Sequence, residues 1–167
     1  TAKSPKDCGA SSADSTRPTI YADNNPDQGK ALGTTSIPDV LGINYRTEEI
    51  DKVRALVGDR KMLCSEHTNF DRCIRGDPDL GTAMIERLKH NLDILESRAY
   101  IAGSALWSMH DYGTDYEPVW PEQHSGILDS SGLPKEAFFF LKSRWSREPV
   151  VHICNHWTWP GEENKTR

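Results

Sequence analysis

The sequence has no apolar run long enough to cross a bilayer, and hydrophobic residues make up only 36% of its 167 positions. It opens without the charged, apolar and small-residue pattern of a signal segment, so we expect an N-terminus that is mature or cut from a longer chain. It has no basic stripe, and its net charge of −5 argues against nucleic acid as a partner. These absences predict a soluble protein with neither a membrane nor a nucleic-acid partner, and the length suits one domain with a real core.

Cysteine is scarce and shows no paired spacing. Cys8, Cys64, Cys73 and Cys154 form no CxxC pair and no zinc-like pattern, so we predict no metal site and deduce no disulfide. Cys64 lies inside an apolar run and is expected to be a small core residue. The compartment stays unknown, and the glycosylation sequon that starts at Asn164 favours a periplasmic or secreted location.

Aromatic residues are few, at 8%, and tryptophan is unevenly placed. All five lie in the last two-fifths of the chain: Trp107, Trp120, Trp145, Trp157 and Trp159. Such a cluster suits a site that stacks on flat ligand faces, although core packing is the commoner use of tryptophan.

Apolar periodicity predicts an alternation of strands and helices. We predict strands at 19–22, 40–45, 60–67, 101–107 and 150–154, a loop from 23 to 38, and helices beginning at Thr47, Asp77 and Pro134. This alternation is typical of a parallel sheet with helices outside it.

Polar residues follow successive predicted strands: Asn24, Asn44-Tyr45, Glu66-His67, and Trp107 with His110-Asp111. Active sites of (β/α)8 TIM barrels are assembled from these positions, which favours the barrel over an open sheet. The first four predicted strands, up to residue 107, cannot close a barrel of eight. The α/β chain is therefore predicted to be the second half of such a barrel, strands 5–8. Judged from its own strand alone, Glu66 could instead be a solvent-exposed residue at the strand end without a catalytic role.

Ordered sequence blocks then point to one family. They are DSTRPTIY from Asp14, LGINYR, KMLCSEH, IAGSALWSMHDYG, and the long stretch from Trp120-Pro121 through GILDSSGLPKEAFFFLKSRW to HWTWPG. From Asp14 onward the chain resembles glycoside hydrolase family 2, which contains β-galactosidases, β-glucuronidases and β-mannosidases. The resemblance implies that 1–147 is the C-terminal half of the catalytic barrel, and 148–167 a linker and the first strand of a following β-sandwich domain.

The resemblance also implies roles for two residues at the strand ends. Glu66 matches the nucleophile, which attacks the anomeric carbon and forms a glycosyl-enzyme. Tyr45 matches the tyrosine whose hydroxyl holds that carboxylate and keeps its pKa low.

Further residues match the family's sugar-binding positions. Trp107 matches an aromatic at the floor of the sugar pocket, with barrel-core filler as its alternative. Asn44 bonds a sugar hydroxyl or the barrel wall, and Asp111 a hydroxyl or a neighbouring loop. His67 is a predicted substrate contact, and Trp120 an outer wall of the pocket.

The family's second carboxyl group has no match here. Retaining glycosidases use two, about 5–5.5 Å apart, and in this family the acid/base glutamate lies in an Asn-Glu pair upstream of the matched region. No Asn-Glu pair occurs in this chain. We therefore expect a fragment, the ordered part of a larger protein, or a chain complemented by another, and expect residues 1–167 alone to be inactive.

The substrate class is predicted from a further missing motif. β-Glucuronidases carry an Asn-x-Lys pair where this chain has Glu122-Gln123-His124-Ser125-Gly126, so a neutral sugar is favoured, with galactose first. The predicted function is part of a retaining exo-β-galactosidase without cofactor. Its expected partners are a β-galactoside and the rest of its own barrel and sandwich domains, with a homo-oligomer possible. The alternative is a non-catalytic carbohydrate-binding or structural fragment of a family 2 hydrolase.

Overall fold

The computed structural model describes residues 16–70, 73–114 and 122–153. The chain divides into two compact units. The first comprises residues up to 69 together with 89–107, and the second comprises 70–88 and the residues from 108 onward. No helix among the described residues combines the length and the hydropathy that crossing a membrane requires.

The first unit is built on a parallel sheet of four strands. They are β1 (Ile20–Asp23), β2 (Val40–Asn44), β3 (Lys61–His67) and β4 (Ile101–Leu106), and they lie in chain order. Because all four run the same way, their carboxyl ends meet at one edge of the sheet. The predicted α/β class and parallel sheet are confirmed.

One face of this sheet packs against helices. The fully buried side chains Leu41, Ile43 and Met62 pack with Ile50 and Val53 in one hydrophobic cluster. Ile50 and Val53 belong to α2, which runs over Ile50–Val57 after a short 3-10 turn at Thr47–Glu49. Thr47 was predicted to cap this helix, but it starts the 3-10 turn instead.

A further helix was not predicted. Residues between β1 and β2 were expected to be loop, yet α1 spans Pro26–Leu32. Asn25 Oδ1 accepts a hydrogen bond from the Gln28 amide, Pro26 begins the first turn, and Gly33 ends the helix with φ of 79°. These are ordinary start and stop signals, which the glycine-rich composition of the segment obscured.

The boundary between the two units falls within the longest helix, α3 (Pro78–Glu96). Asp77 was predicted to open it, and Asp77 Oδ1 accepts from the Asp79 and Leu80 amides at 3.0 Å. Its predicted apolar face is confirmed as buried: Met84, Leu88, Leu92 and Leu95.

The second unit contains a short antiparallel pair, β5 (Tyr112–Gly113) and β6 (Glu122–Gln123), followed by α4 (Glu136–Trp145). Ala137 and Leu141 of α4 are buried, whereas Trp145, predicted to lie on the same face, is 55% exposed. The strand predicted at 150–154 is wrong for 150–153, which have no regular structure, and Cys154 lies outside the described residues. His152 instead stacks on Phe139, with ring centroids 3.7 Å apart.

Candidate active site

The predicted nucleophile lies where three strands of the first unit end. Glu66 is half-buried near the end of β3 and pairs in register with Asn44 of β2. The Tyr45 amide donates to the Glu66 carbonyl at 2.9 Å, and the Trp107 amide to the His67 carbonyl at 3.0 Å. The ends of β2, β3 and β4 are thus joined, and they bring Asn44, Tyr45, Glu66, His67 and Trp107 to one edge.

A β-bulge interrupts the regular alternation of side chains between Cys64 and Glu66. Ile43 pairs with Cys64, but the next residue, Asn44, pairs with Glu66, so Ser65 is an extra residue in β3. Without the bulge, Cys64 and Glu66 would point to the same face, and Cys64 is fully buried. Burial raises the pKa of the Cys64 thiol to about 11, as an inert core residue requires.

Ser65 also fixes the position of Asn44. Its hydroxyl donates to Asn44 Oδ1 at 2.6 Å, and Asn44 is 6% exposed. Of the two roles left open by the sequence, this contact matches the one in which Asn44 bonds the wall of the sheet. Ser65 was missed because nothing in the sequence marks a bulge.

Two residues at this edge have a left-handed backbone. Tyr45 follows β2 with φ of 54°, and Thr68 follows β3 with φ of 60°. Such conformations are uncommon for residues other than glycine, and strained positions of this kind cluster at functional sites. Tyr45 is 40% exposed, and Trp107 is half-buried.

His67, the residue after the predicted nucleophile, belongs to a buried polar network with Thr68 and Asn91. It is 0% exposed, and its Nδ1 lies 2.7 Å from Thr68 Oγ1, which accepts from Asn91 Nδ2 at 2.7 Å. His67 Nε2 is buried with no hydrogen-bond partner. Burial lowers the pKa of His67 to about 4, so the ring is neutral at physiological pH.

Asp111 lies in the second unit, where both carboxylate oxygens have partners. Oδ1 accepts from Lys135 Nζ at 2.6 Å and from the Gly126 amide at 2.9 Å, while Oδ2 lies 3.2 Å from His124 Nδ1. These contacts match the alternative in which Asp111 bonds a neighbouring loop. Lys135, 1% exposed, was missed by the sequence reasoning because a lysine is rarely fully buried.

Trp120, the predicted outer wall of the sugar pocket, lies outside the described residues and remains a prediction.

The carboxylates of Asp111 and Glu122 and the imidazole of His124 offer ligand atoms within 4.8 Å of one another, a set that could hold a metal ion.

Comparison with known proteins gives relatives in one group of enzymes. No protein-family model matches the chain. The β-galactosidase BoGH2A of Bacteroides ovatus is 27% identical over 90% of this chain, and a β-glucuronidase of Formosa agariphila is 36% identical over 49% of it. The chain spans only 21% and 8% of these two relatives, respectively.

Solved structures show the same fold at low identity. A Bacteroides uniformis β-glucuronidase superposes with a TM-score of 0.70 at 21% identity, over 86% of this chain and 20% of that one. A GH2 β-galacturonidase from Eisenbergiella tayi gives 0.69 at 18% identity, over 85% of this chain and 29% of that one. With relatives in sequence and in fold that are glycoside hydrolases, the resemblance of this chain to glycoside hydrolase family 2 is confirmed.

Proposed function

We propose that this chain supplies the nucleophile-bearing part of a retaining exo-glycoside hydrolase, with Glu66 as the nucleophile. The observation that carries the proposal is the half-buried Glu66 near the carboxyl end of β3, in register with Asn44, at a bulge that interrupts the side-chain alternation from the buried Cys64. We further infer that β1–β4 are strands 5–8 of an eight-stranded barrel. Four parallel strands in chain order, with polar residues at their carboxyl ends, support that inference.

The proposed reaction proceeds in two displacements. A Glu66 oxygen attacks the anomeric carbon while the bond to the aglycone oxygen breaks, and an acid outside these 167 residues protonates that oxygen. Water then attacks the same carbon and gives its proton to that acid/base group, and Glu66 leaves as a carboxylate. Because the acid is supplied from elsewhere, residues 1–167 alone are proposed to be inactive.

Supporting roles follow from the surroundings of each residue. Tyr45 lies beside Glu66 through a backbone bond and is proposed to hold its carboxylate, while the half-buried Trp107 packs against the sugar. Because His67 is fully buried, we propose that it stabilises the end of β3 and does not contact the sugar. Asn44 and Asp111 are likewise proposed to support the strands and loops that carry the site.

The proposed substrate is a neutral β-glycoside, with β-galactoside first. The aligned stretch 122–126 lacks the Asn-x-Lys pair, and the buried Lys135 ammonium donates to Asp111 Oδ1 and to the His124 carbonyl. That ammonium is therefore engaged within its own unit, and burying a substrate carboxylate without a cation is costly. The rival substrate class is the β-glucuronide, which is favoured by the names of the Formosa agariphila relatives.

The test is Glu66→Gln in the protein expressed from its complete reading frame. Turnover of an aryl β-galactoside should fall by several orders of magnitude, because no other group replaces a covalent nucleophile. The matched control is Glu86→Gln, an exposed glutamate of α3, which should leave turnover unchanged. If Glu66→Gln retains more than about a tenth of wild-type turnover, the assignment is wrong and the non-catalytic alternative gains support.

A further inference from the structure

A second group of chemically active side chains lies in the second unit, and none of its members takes part in the two proposed displacements. It consists of Asp111, which is buried, and Glu122 and His124, which are half-buried. We propose that these three side chains form a binding site for one zinc ion.

The spacing of two ligand atoms fits a shared ion. Asp111 Oδ2 lies 3.2 Å from His124 Nδ1. Zinc ligands lie about 2.0–2.2 Å from the metal in tetrahedral geometry, which separates neighbouring ligand atoms by about 3.4 Å. The observed 3.2 Å is close to that separation, so one ion can contact both atoms with little movement of either side chain.

The buried carboxylate is already held in place for such a role. The Lys135 ammonium and the Gly126 amide both donate to Oδ1 of Asp111, which leaves Oδ2 directed to His124. Partners of this kind orient metal ligands in proteins. A Cβ at Gly126 would lie 2.3 Å from the Asp111 nitrogen, so this segment packs directly against the ligand's backbone.

Lys135 is also compatible with a dication. The two carboxylates and the ammonium sum to −1 with a neutral imidazole, and a divalent ion changes the sum to +1. The ammonium repels a dication, and the two carboxylates offset that repulsion because the charge sum of the metal-free group is negative. His124 binds through Nδ1 as the neutral ring, with its proton on Nε2.

The other two ligands are fixed by backbone contacts. Glu122 lies in β6 and pairs with Gly113 of β5, and the His124 carbonyl accepts from the Cys73 amide at 3.1 Å and from Lys135 Nζ at 3.2 Å. One imidazole with two carboxylates suits zinc, whereas magnesium and calcium prefer oxygen ligands alone.

The experiment is a zinc titration of the full-length protein after chelator treatment and removal of any affinity tag, followed by calorimetry. Wild type, Glu122→Gln and His124→Gln are compared with Glu148→Gln, an exposed glutamate in the same unit. We expect one zinc equivalent per chain whose affinity falls by at least about tenfold in each ligand variant and is unchanged in the control. Magnesium should produce no comparable heat.

Unchanged zinc affinity in both ligand variants, no zinc binding by the wild type, or equal binding of magnesium would each overturn the proposal. Far-UV circular dichroism of the metal-free variants checks their fold. Cobalt(II) absorption of the wild type provides a readout that needs no variant, because tetrahedral coordination gives visible bands that are much stronger than the weak band of the octahedral aquated ion.

Discussion

Thr68 shows how one hydroxyl can stabilise the end of the nucleophile strand. It is 3% exposed, and its oxygen bonds both His67 Nδ1 and Asn91 Nδ2 at 2.7 Å. Replacing the hydroxyl leaves two buried nitrogen atoms without their partner, and each such loss costs free energy because water cannot reach them. The strained φ of 60° is then maintained by fewer contacts.

Thr68→Val is therefore expected to lower the free energy of unfolding by about 1–3 kcal/mol in urea titrations. Valine keeps the β-branched shape, so the change isolates the hydroxyl. The control is Thr82→Val on the exposed surface of α3, where water replaces the bond to the Pro78 carbonyl, and a change within about 0.5 kcal/mol is expected. Equal effects of both variants would contradict the buried network.

The neutral His67 predicts a dependence of stability on pH. Burial lowers the pKa of His67 to about 4 in the folded protein, from 6.5 for the free ring. Between these values the unfolded chain binds a proton that the folded protein does not, so stability falls as the pH falls from 6.5 to 4. One such group contributes a slope of up to about 1.4 kcal/mol per pH unit.

His67→Phe removes this group, so its free energy of unfolding should depend less steeply on pH across the same window. Urea titrations of both proteins at intervals from pH 4 to pH 7 measure the two slopes. Parallel slopes would mean that His67 is not the neutral buried group described here.

The bulge at Ser65 in β3 depends on the lack of a side chain at Gly42 in the neighbouring strand β2. A Cβ at Gly42 would lie 2.7 Å from Ser65 Oγ and 3.0 Å from the Tyr21 carbonyl oxygen. Because the second contact is with backbone, a small rotation of one side chain cannot relieve both.

Gly42→Ala is expected to destabilise the protein by about 1–3 kcal/mol and to reduce turnover, since it displaces the segment of β3 that carries Glu66. Gly103→Ala in β4 is the matched control, because its Cβ would meet only Leu63 Cδ1 at an ordinary 3.7 Å. Thermal unfolding and turnover of an aryl glycoside measure both effects. Similar losses in the two variants would show that close approach at Gly42 is not the cause.

Some structural elements could be predicted from the sequence, and others could not. Apolar spacing predicted the four strands and the buried face of α3, because burial of one face imposes the period. The bulge at Ser65 was not predictable, since it arises from register between two strands and not from residue type. Tyr45 and Glu66 were predicted as site residues from the strand ends and the family motifs, whereas the supports Thr68, Asn91 and Lys135 depend on tertiary contacts.

For the complete protein, the proposed substrate class depends on whether a cation is available to bind a substrate carboxylate. The complete protein is expected to hydrolyse aryl β-galactosides much faster than aryl β-glucuronides, since the aligned stretch 122–126 has no lysine and Lys135 is engaged. Initial rates with the two substrates under the same conditions measure the preference. Faster hydrolysis of the glucuronide would contradict the substrate assignment while leaving the role of Glu66 intact.

Trapping the glycosyl-enzyme on the complete protein tests the role of Glu66 most directly. A 2-deoxy-2-fluoro galactoside with a good leaving group slows the second displacement more than it prevents the first, so the covalent intermediate accumulates. We predict loss of activity, a mass increase of one fluorosugar per chain, and a label that peptide mapping assigns to Glu66. Inactivation with the label on another residue would contradict the assignment of Glu66 as the nucleophile.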